Sequence, residues 1–136
     1  MDFIDTNLIV YANDRRDKAK QASALAVVRE AIRDGSGVIS VQVLQEYANT
    51  ALSKLGQEPT VVLRQLALLE SMRVVCPDAR MVSRAVELKS LYQISFWDAS
   101  ILAAAESAGC SRLLTEDLND GQMYGSIRVM NPLREN

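Results

Sequence analysis

Phe3-Ile4-Asp5-Thr6-Asn7-Leu8 is the stretch from which the fold is read. Two adjacent apolar residues give way at once to three polar ones, and Leu8 to Asn13 then reads as one short helix. A strand covered on both faces is a continuous apolar run rather than an alternating one. Phe3-Ile4 fits such a strand, with Asp5 just beyond its carboxyl end. The pattern recurs outward along the chain. Asp17 to Asp34 is helical by the spacing of Ala22, Leu25, Ala26, Val28 and Ile32, and Gly35-Ser36-Gly37 stops it. Val38-Ile39-Ser40-Val41 reads as a second strand. Gln42 to Leu55 is a helix closed by Gly56, with Pro59 beyond, and Thr60 to Met72 is another. Val74-Val75 is a third strand ended by Pro77. Helices follow over Ala79 to Tyr92 and from Ser95 to about Ala108. Arg112 to Thr115 is a fourth strand, Gly121 to Gly125 a loop, and Ile127-Arg128-Val129 a last strand. Strands alternating with helices or helix pairs predict a mostly parallel sheet of about five strands in an α/β fold. The length predicts a single domain over residues 1–136. Ligands of such sheets bind beyond the carboxyl ends of strands. Asp5, Ser40 and Thr115-Glu116-Asp117 all fall there.

Composition narrows the chemistry. The 136 residues include 17 acidic and 15 basic side chains, a net charge of −2, two cysteines and no histidine. A Ser-His-Asp triad, a Cys-His pair and a His-ligated zinc site are excluded. Acid–base and metal chemistry must come from carboxylates, hydroxyls, Lys or Arg. No apolar run approaches the ~18 residues of a membrane span, and the first residues lack a signal-peptide pattern. Two distant thiols, Cys76 and Cys110, fit a reducing compartment and a cytoplasmic location. Both are expected to be small buried residues.

The acids have competing explanations. Asp5 fits an N-cap after a strand as well as a ligand-binding rim. Asp98 projects towards Leu102, near a helical stripe of Trp97, Ile101, Ala105 and Ala108, so it is expected to point inward. Ser95-Phe96-Trp97-Asp98 also fits a capping box. Glu46 lies across its helix from the stripe of Val43, Leu44, Tyr47, Ala48, Ala51, Leu52 and Leu55, which by pattern alone is a solvated face. Glu116, Asp117 and Asp120 cluster after the fourth strand, where acids also cap turns. Gathered carboxylates repel unless a cation binds them. Mg²⁺ accepts one or two carboxylates with water and substrate phosphate. It supports phosphodiester cleavage without histidine.

Asp5-Thr6-Asn7, Gln45-Glu46, Phe96-Trp97-Asp98-Ala99 and Leu114-Thr115-Glu116-Asp117, in this order, together resemble the PIN-domain family. More narrowly they resemble the VapC-type ribonuclease toxins of toxin–antitoxin pairs. The resemblance spans essentially the whole chain, including Arg128-Val129-Met130-Asn131-Pro132. It implies a three-layer α/β/α sandwich and a Mg²⁺- or Mn²⁺-dependent endoribonuclease. The family's acidic quartet maps onto Asp5, Glu46, Asp98 and Asp117, with Glu116 and Asp120 competing for the last place. Asp5, Asp98 and Asp117 would hold metal, and Glu46 would help orient the attacking water. The resemblance also implies an RNA substrate, a homodimer and a cognate antitoxin.

Thr6, Asn7, Ser40 and Thr115 are further candidates to steady the acids or meet phosphate, against local turn bonding. Arg15, Arg16, Lys18 and Lys20 form the densest basic run, either an RNA rim or a solvated helix start. Trp97 and Tyr47 are expected to pack rather than stack on bases. The Leu and Val residues of positions 61–75 are expected to pack in the core. Two rival readings stand beside the nuclease. One is a PIN-type module that binds RNA or protein without catalysis. The other is a haloacid-dehalogenase-type phosphatase, which needs Asp-x-Asp where this chain has Asp5-Thr6-Asn7.

Overall fold

Each strand of the sheet is two to four residues long, so sheet position rather than strand length organises the molecule. The computed structural model describes residues 1–133; residues 134–136 of the expected domain lie outside it. The elements run β1 (Asp2–Ile4), α1 (Thr6–Ala12), α2 (Lys18–Asp34), β2 (Gly37–Ser40), α3 (Val41–Ser53), α4 (Pro59–Leu69), β3 (Arg73–Val75), α5 (Ala79–Tyr92), α6 (Phe96–Ser107), β4 (Arg112–Leu114), β5 (Met123–Tyr124) and β6 (Ile127–Met130). Among the described residues the sheet has six strands in the order β3-β2-β1-β4-β6-β5. All pairs are parallel except β5–β6. The strand beyond the expected five, β5 at Met123–Tyr124, occupies part of the expected loop at Gly121–Gly125. Two residues are too few for a strand pattern to show.

The chain enters at β1, steps one way to β2 and β3, then crosses back to β4. Right-handed crossovers in opposite directions place α1–α4 on one face and α5–α6 on the other. The packing of α1 on α2 and α3, and of α5 on α6, agrees. The direction reverses between β1 and β4, the switch point at which α/β sheets bind ligands. Phe3, Ile4, Val38, Ile39 and Leu113 are fully buried, as strands with two covered faces require.

Local signals explain the element ends. Asp5 caps α1, which therefore begins at Thr6, two residues before the first expected position. Ser40 caps α3, accepting from the Val43 amide at 3.3 Å, so Val41 belongs to the helix rather than to β2. Pro59 sits in the first turn of α4, where its missing N–H costs nothing. Gly37 is required by close packing. A Cβ there would come within 2.7 Å of both Ala31 Cβ and Met72 Sδ.

Three packing expectations are corrected. Trp97 is 65% exposed instead of joining the stripe of α6. In the first turn of that helix no neighbouring element covers it. Cys76 is exposed and only Cys110 is buried, because Cys76 lies past the end of the edge strand β3. Along α4, Val62 and Leu69 enter the core while Val61, Leu63 and Leu68 face outward. Tyr47 is fully buried, as expected.

Candidate active site

The carboxyl ends of β1 and β4 bring Asp5 and Thr115 together across 110 residues of sequence. The Asp5 amide donates to the Leu114 carbonyl at 3.0 Å, which extends the β1–β4 ladder by one residue. Its carboxylate is then held at both oxygens. Oδ1 accepts from the Thr6 amide at 2.7 Å, and Oδ2 accepts from the Thr115 hydroxyl at 2.8 Å. Asp5 is thus a helix cap that also lines the cleft.

Asp98 arrives from the other face of the sheet. Ser95 caps the helix, its hydroxyl accepting from the Asp98 amide at 3.0 Å, and a side-chain hydrogen bond also ties Ser95 to the Asp98 carboxyl. The Asp98 carboxylate lines the cavity that Asp5 also lines. Asp117 comes from the loop after β4, whose following residue, Leu118, has a left-handed φ of 65°. The Asp117 amide donates to Thr115 Oγ1 at 3.0 Å, and its Oδ2 accepts from Asn7 Nδ2 at 3.1 Å. Carboxylate oxygens of Asp5, Asp98 and Asp117 lie within 4.8 Å of one another.

Glu46 is exposed on α3 but tied to this cleft. Its Oε1 accepts from the Thr6 hydroxyl at 3.2 Å and from Gln42 Nε2 at 3.1 Å. The helical face read as solvated is therefore the face that looks across to α1. Asn7 Nδ2 donates to Thr115 Oγ1 at 3.0 Å as well as to Asp117. Thr6, Asn7 and Thr115 thus each hold one or more acids of the cleft.

Other expected residues go elsewhere. Glu116 is bonded to the Tyr11 hydroxyl and paired with Lys20 Nζ at 3.3 Å. Asp120 accepts from the Asn131 amide at 2.9 Å. Neither lines the cleft, so of the three competing acids Asp117 is the one that enters it. Ser40 caps α3 and lines the neighbouring groove. In the basic run only Arg16 reaches the cleft wall, and it forms a two-pronged pair with Asp14. Those hydrogen bonds from Arg16 hold the Asp14 carboxyl down at about 2. Arg15 lines an adjoining hollow, Lys20 lies over the Tyr11 ring at 4.6 Å, and Lys18 is an exposed residue opening α2.

Sequence reading missed several members of the wall, among them Gln42, Thr50, Lys54 and Trp97. Gln42, Glu46 and Thr50 are spaced at i, i+4 and i+8 on α3. That is one helical face, a signal available once Glu46 is assigned to the cleft. The cavity measures roughly 360 Å³.

Electrostatics follow from this geometry. Burial pushes the Asp5 carboxyl up to about 7, against the lowering effect of its bonds to Thr115 and Thr6, with the charges of Asp117 and Glu46 pushing the same way as burial. Asp98 is also raised, by burial first and by Asp117. Such a site strains to keep its carboxylates ionised, and a divalent cation would relieve it. The donor set is all oxygen, which suits Mg²⁺ or Mn²⁺ rather than zinc.

Sheet order, switch-point cleft and clustered carboxylates together define an α/β protein of the PIN type. The PIN domain family matches residues 3–120, and the chain belongs to it. Two solved structures are similar. A toxin–antitoxin complex from Klebsiella pneumoniae has a TM-score of 0.70 at 22% identity, covering 97% of this chain and 98% of that one. VapC20 of Mycobacterium tuberculosis, a toxin that cleaves the sarcin–ricin loop, has a TM-score of 0.68 at 20% identity, covering 86% and 92%. At these identities the likeness is one of fold. No curated protein sequence matches this chain.

Proposed function

We propose that this PIN-domain protein is a metal-dependent endoribonuclease and the toxin of a toxin–antitoxin module. The observation that carries the reading is the approach of Asp5, Asp98 and Asp117 to within 4.8 Å at the switch point of the sheet. The similarity of fold to a toxin–antitoxin complex and to an RNA-cleaving toxin supports it.

Asp5, Asp98 and Asp117 are the residues that would hold Mg²⁺ or Mn²⁺. Bound there, the ion would supply an activated water and charge neutralisation at the phosphate. Asp5 is kept in one orientation by Thr6 and Thr115, and Asp117 by Asn7. Glu46, held by Thr6 and Gln42, faces the same space and orients the attacking water. Arg16 and Lys54 in the cleft wall receive flanking phosphates. An antitoxin partner and a homodimer belong to this reading. Among the described residues no helix is long and apolar enough to cross a membrane.

The phosphatase alternative loses ground at Asn7. Its amide donates to Thr115 and Asp117 and has no proton to transfer as a general acid. The test is cleavage of a labelled RNA panel with Mg²⁺, Mn²⁺ or EDTA. Cleavage should require the metal and vanish in Asp5→Asn and Asp98→Asn, with circular dichroism unchanged. Undiminished cleavage by both variants would overturn the assignment. Failure of the wild type to cut any RNA would favour a binding module. Co-purification with the product of a small neighbouring gene tests the antitoxin.

A further inference from the structure

We infer that Trp97 is the base-stacking residue of the acidic cleft: it receives an unpaired nucleobase beside the phosphate that a divalent ion on Asp5, Asp98 and Asp117 would draw in. This rests on the ribonuclease reading above.

Trp97 is 65% exposed, while four of the next six residues of α6, Ala99, Ile101, Leu102 and Ala103, are buried. It immediately precedes Asp98 and lines both the acidic cleft and the adjoining apolar groove, so the residue forms part of the wall between them. Its position is fixed from two sides. The Phe96 ring meets it edge-on, with centroids 5.2 Å apart and planes at 77°. Gln42 Nε2 donates to the Trp97 carbonyl at 3.3 Å and to Glu46 Oε1 at 3.1 Å. The two hydrogens of one amide thus register the first turn of α6 against an acid of the cleft.

Arg16 and Lys54 belong to the wall of the same cleft. Cations, a carboxylate trio and an exposed aromatic plane therefore share one opening. Proteins that hold single strands combine a cationic track with aromatic platforms. Every base has a π-face, so stacking on Trp97 contributes affinity without selecting one base. It does demand a base free of its own helical stack, which a duplex does not offer. Trp97 thereby selects unpaired segments of RNA over paired ones.

Trp97 is the sole tryptophan of the chain, so fluorescence excited selectively in tryptophan reports on it alone. The probe is a short unpaired oligoribonucleotide, with a hairpin duplex of the same composition beside it. Both are titrated with Mg²⁺ into Asp117→Asn, which keeps Asp5 and Asp98 to hold the ion and is expected not to cut. The unpaired probe should quench the fluorescence saturably and the duplex should not. In the Asp117→Asn background, Trp97→Leu should weaken binding of the unpaired probe by about 5- to 150-fold, the range for one stacked base. Trp97→Phe should restore most of it. In the cleaving protein, Trp97→Leu should raise KM more than it lowers kcat.

Binding of unpaired RNA with unchanged fluorescence would overturn the inference, as would equal affinities of the Leu and Phe variants. So would a Trp97→Leu protein whose mass by light scattering changes while its RNA affinity holds, since Trp97 would then be a protein contact. Each of these leaves the ribonuclease reading standing. A wild type that neither binds nor cuts RNA removes both.

Discussion

Thr115 has one hydroxyl hydrogen and two lone pairs, and all three are engaged at the cleft. It donates to Asp5 and accepts from Asn7 and from the Asp117 amide. Removing that oxygen while keeping the shape releases Asp5 and Asp117 together. Thr115→Val should lower Mg²⁺ affinity by about 10- to 100-fold, as loss of outer-shell partners does, read by isothermal titration calorimetry. Asp5 itself makes the metal-free protein sensitive to pH. Its carboxyl is raised from an unfolded value near 3.8 to about 7. Between those values the folded state binds more protons than the unfolded state, so stability falls as pH rises. Its contribution is fully present below about pH 4 and lost through pH 7, on the order of 4 kcal/mol. In EDTA, urea melts of the wild type should lose stability across this window, and Asp5→Asn should flatten the loss. A wild type and a variant with parallel pH profiles would refute the assignment.

Among the elements, β2 shows how tightly the layers close. Gly37 touches α2 at Ala31 and the turn before β3 at Met72, both 2.7 Å from where a Cβ would stand. Gly37→Ala should cost about 1–3 kcal/mol by overpacking, measured by thermal melting. RNA cleavage at temperatures where the variant is folded should be kept, because Gly37 lies at the start of its strand, away from the acids. The same element scale decides what was legible in the sequence. The alternation of apolar strands with helices was legible because parallel strands, covered on both faces, are unbroken apolar runs. Asp5 could be read as cap or ligand, and it is placed to be both. Glu46 defeated a helical wheel because a wheel knows only the core side of a helix, not which neighbour its other side meets. Trp97 defeated it in the opposite sense. Periodicity put it on the buried stripe, but burial also needs a neighbour at that height along the axis. Met123–Tyr124 was invisible because its strand character comes from pairing with Ile127 and Arg128, not from its own residues.

For the whole molecule, sheet order matters more than any single element. β1 lies between β2 and β4, and the described pairing of its far edge waits for residues 112–114. Asp2 and Arg112 face each other there as a two-pronged ion pair. The order of synthesis therefore enters the chemistry. Chains emerge from the ribosome at about 5–20 residues per second, amino terminus first. Until residues 115–117 emerge, Asp5 has neither Thr115 nor Asp117 beside it. A polypeptide ending at residue 111 should bind no Mg²⁺ at this cleft and cut no RNA, as calorimetry and the cleavage assay would register. The cleft proposed to attack RNA is in this way incomplete until residues 112–117 have been made and have joined β1.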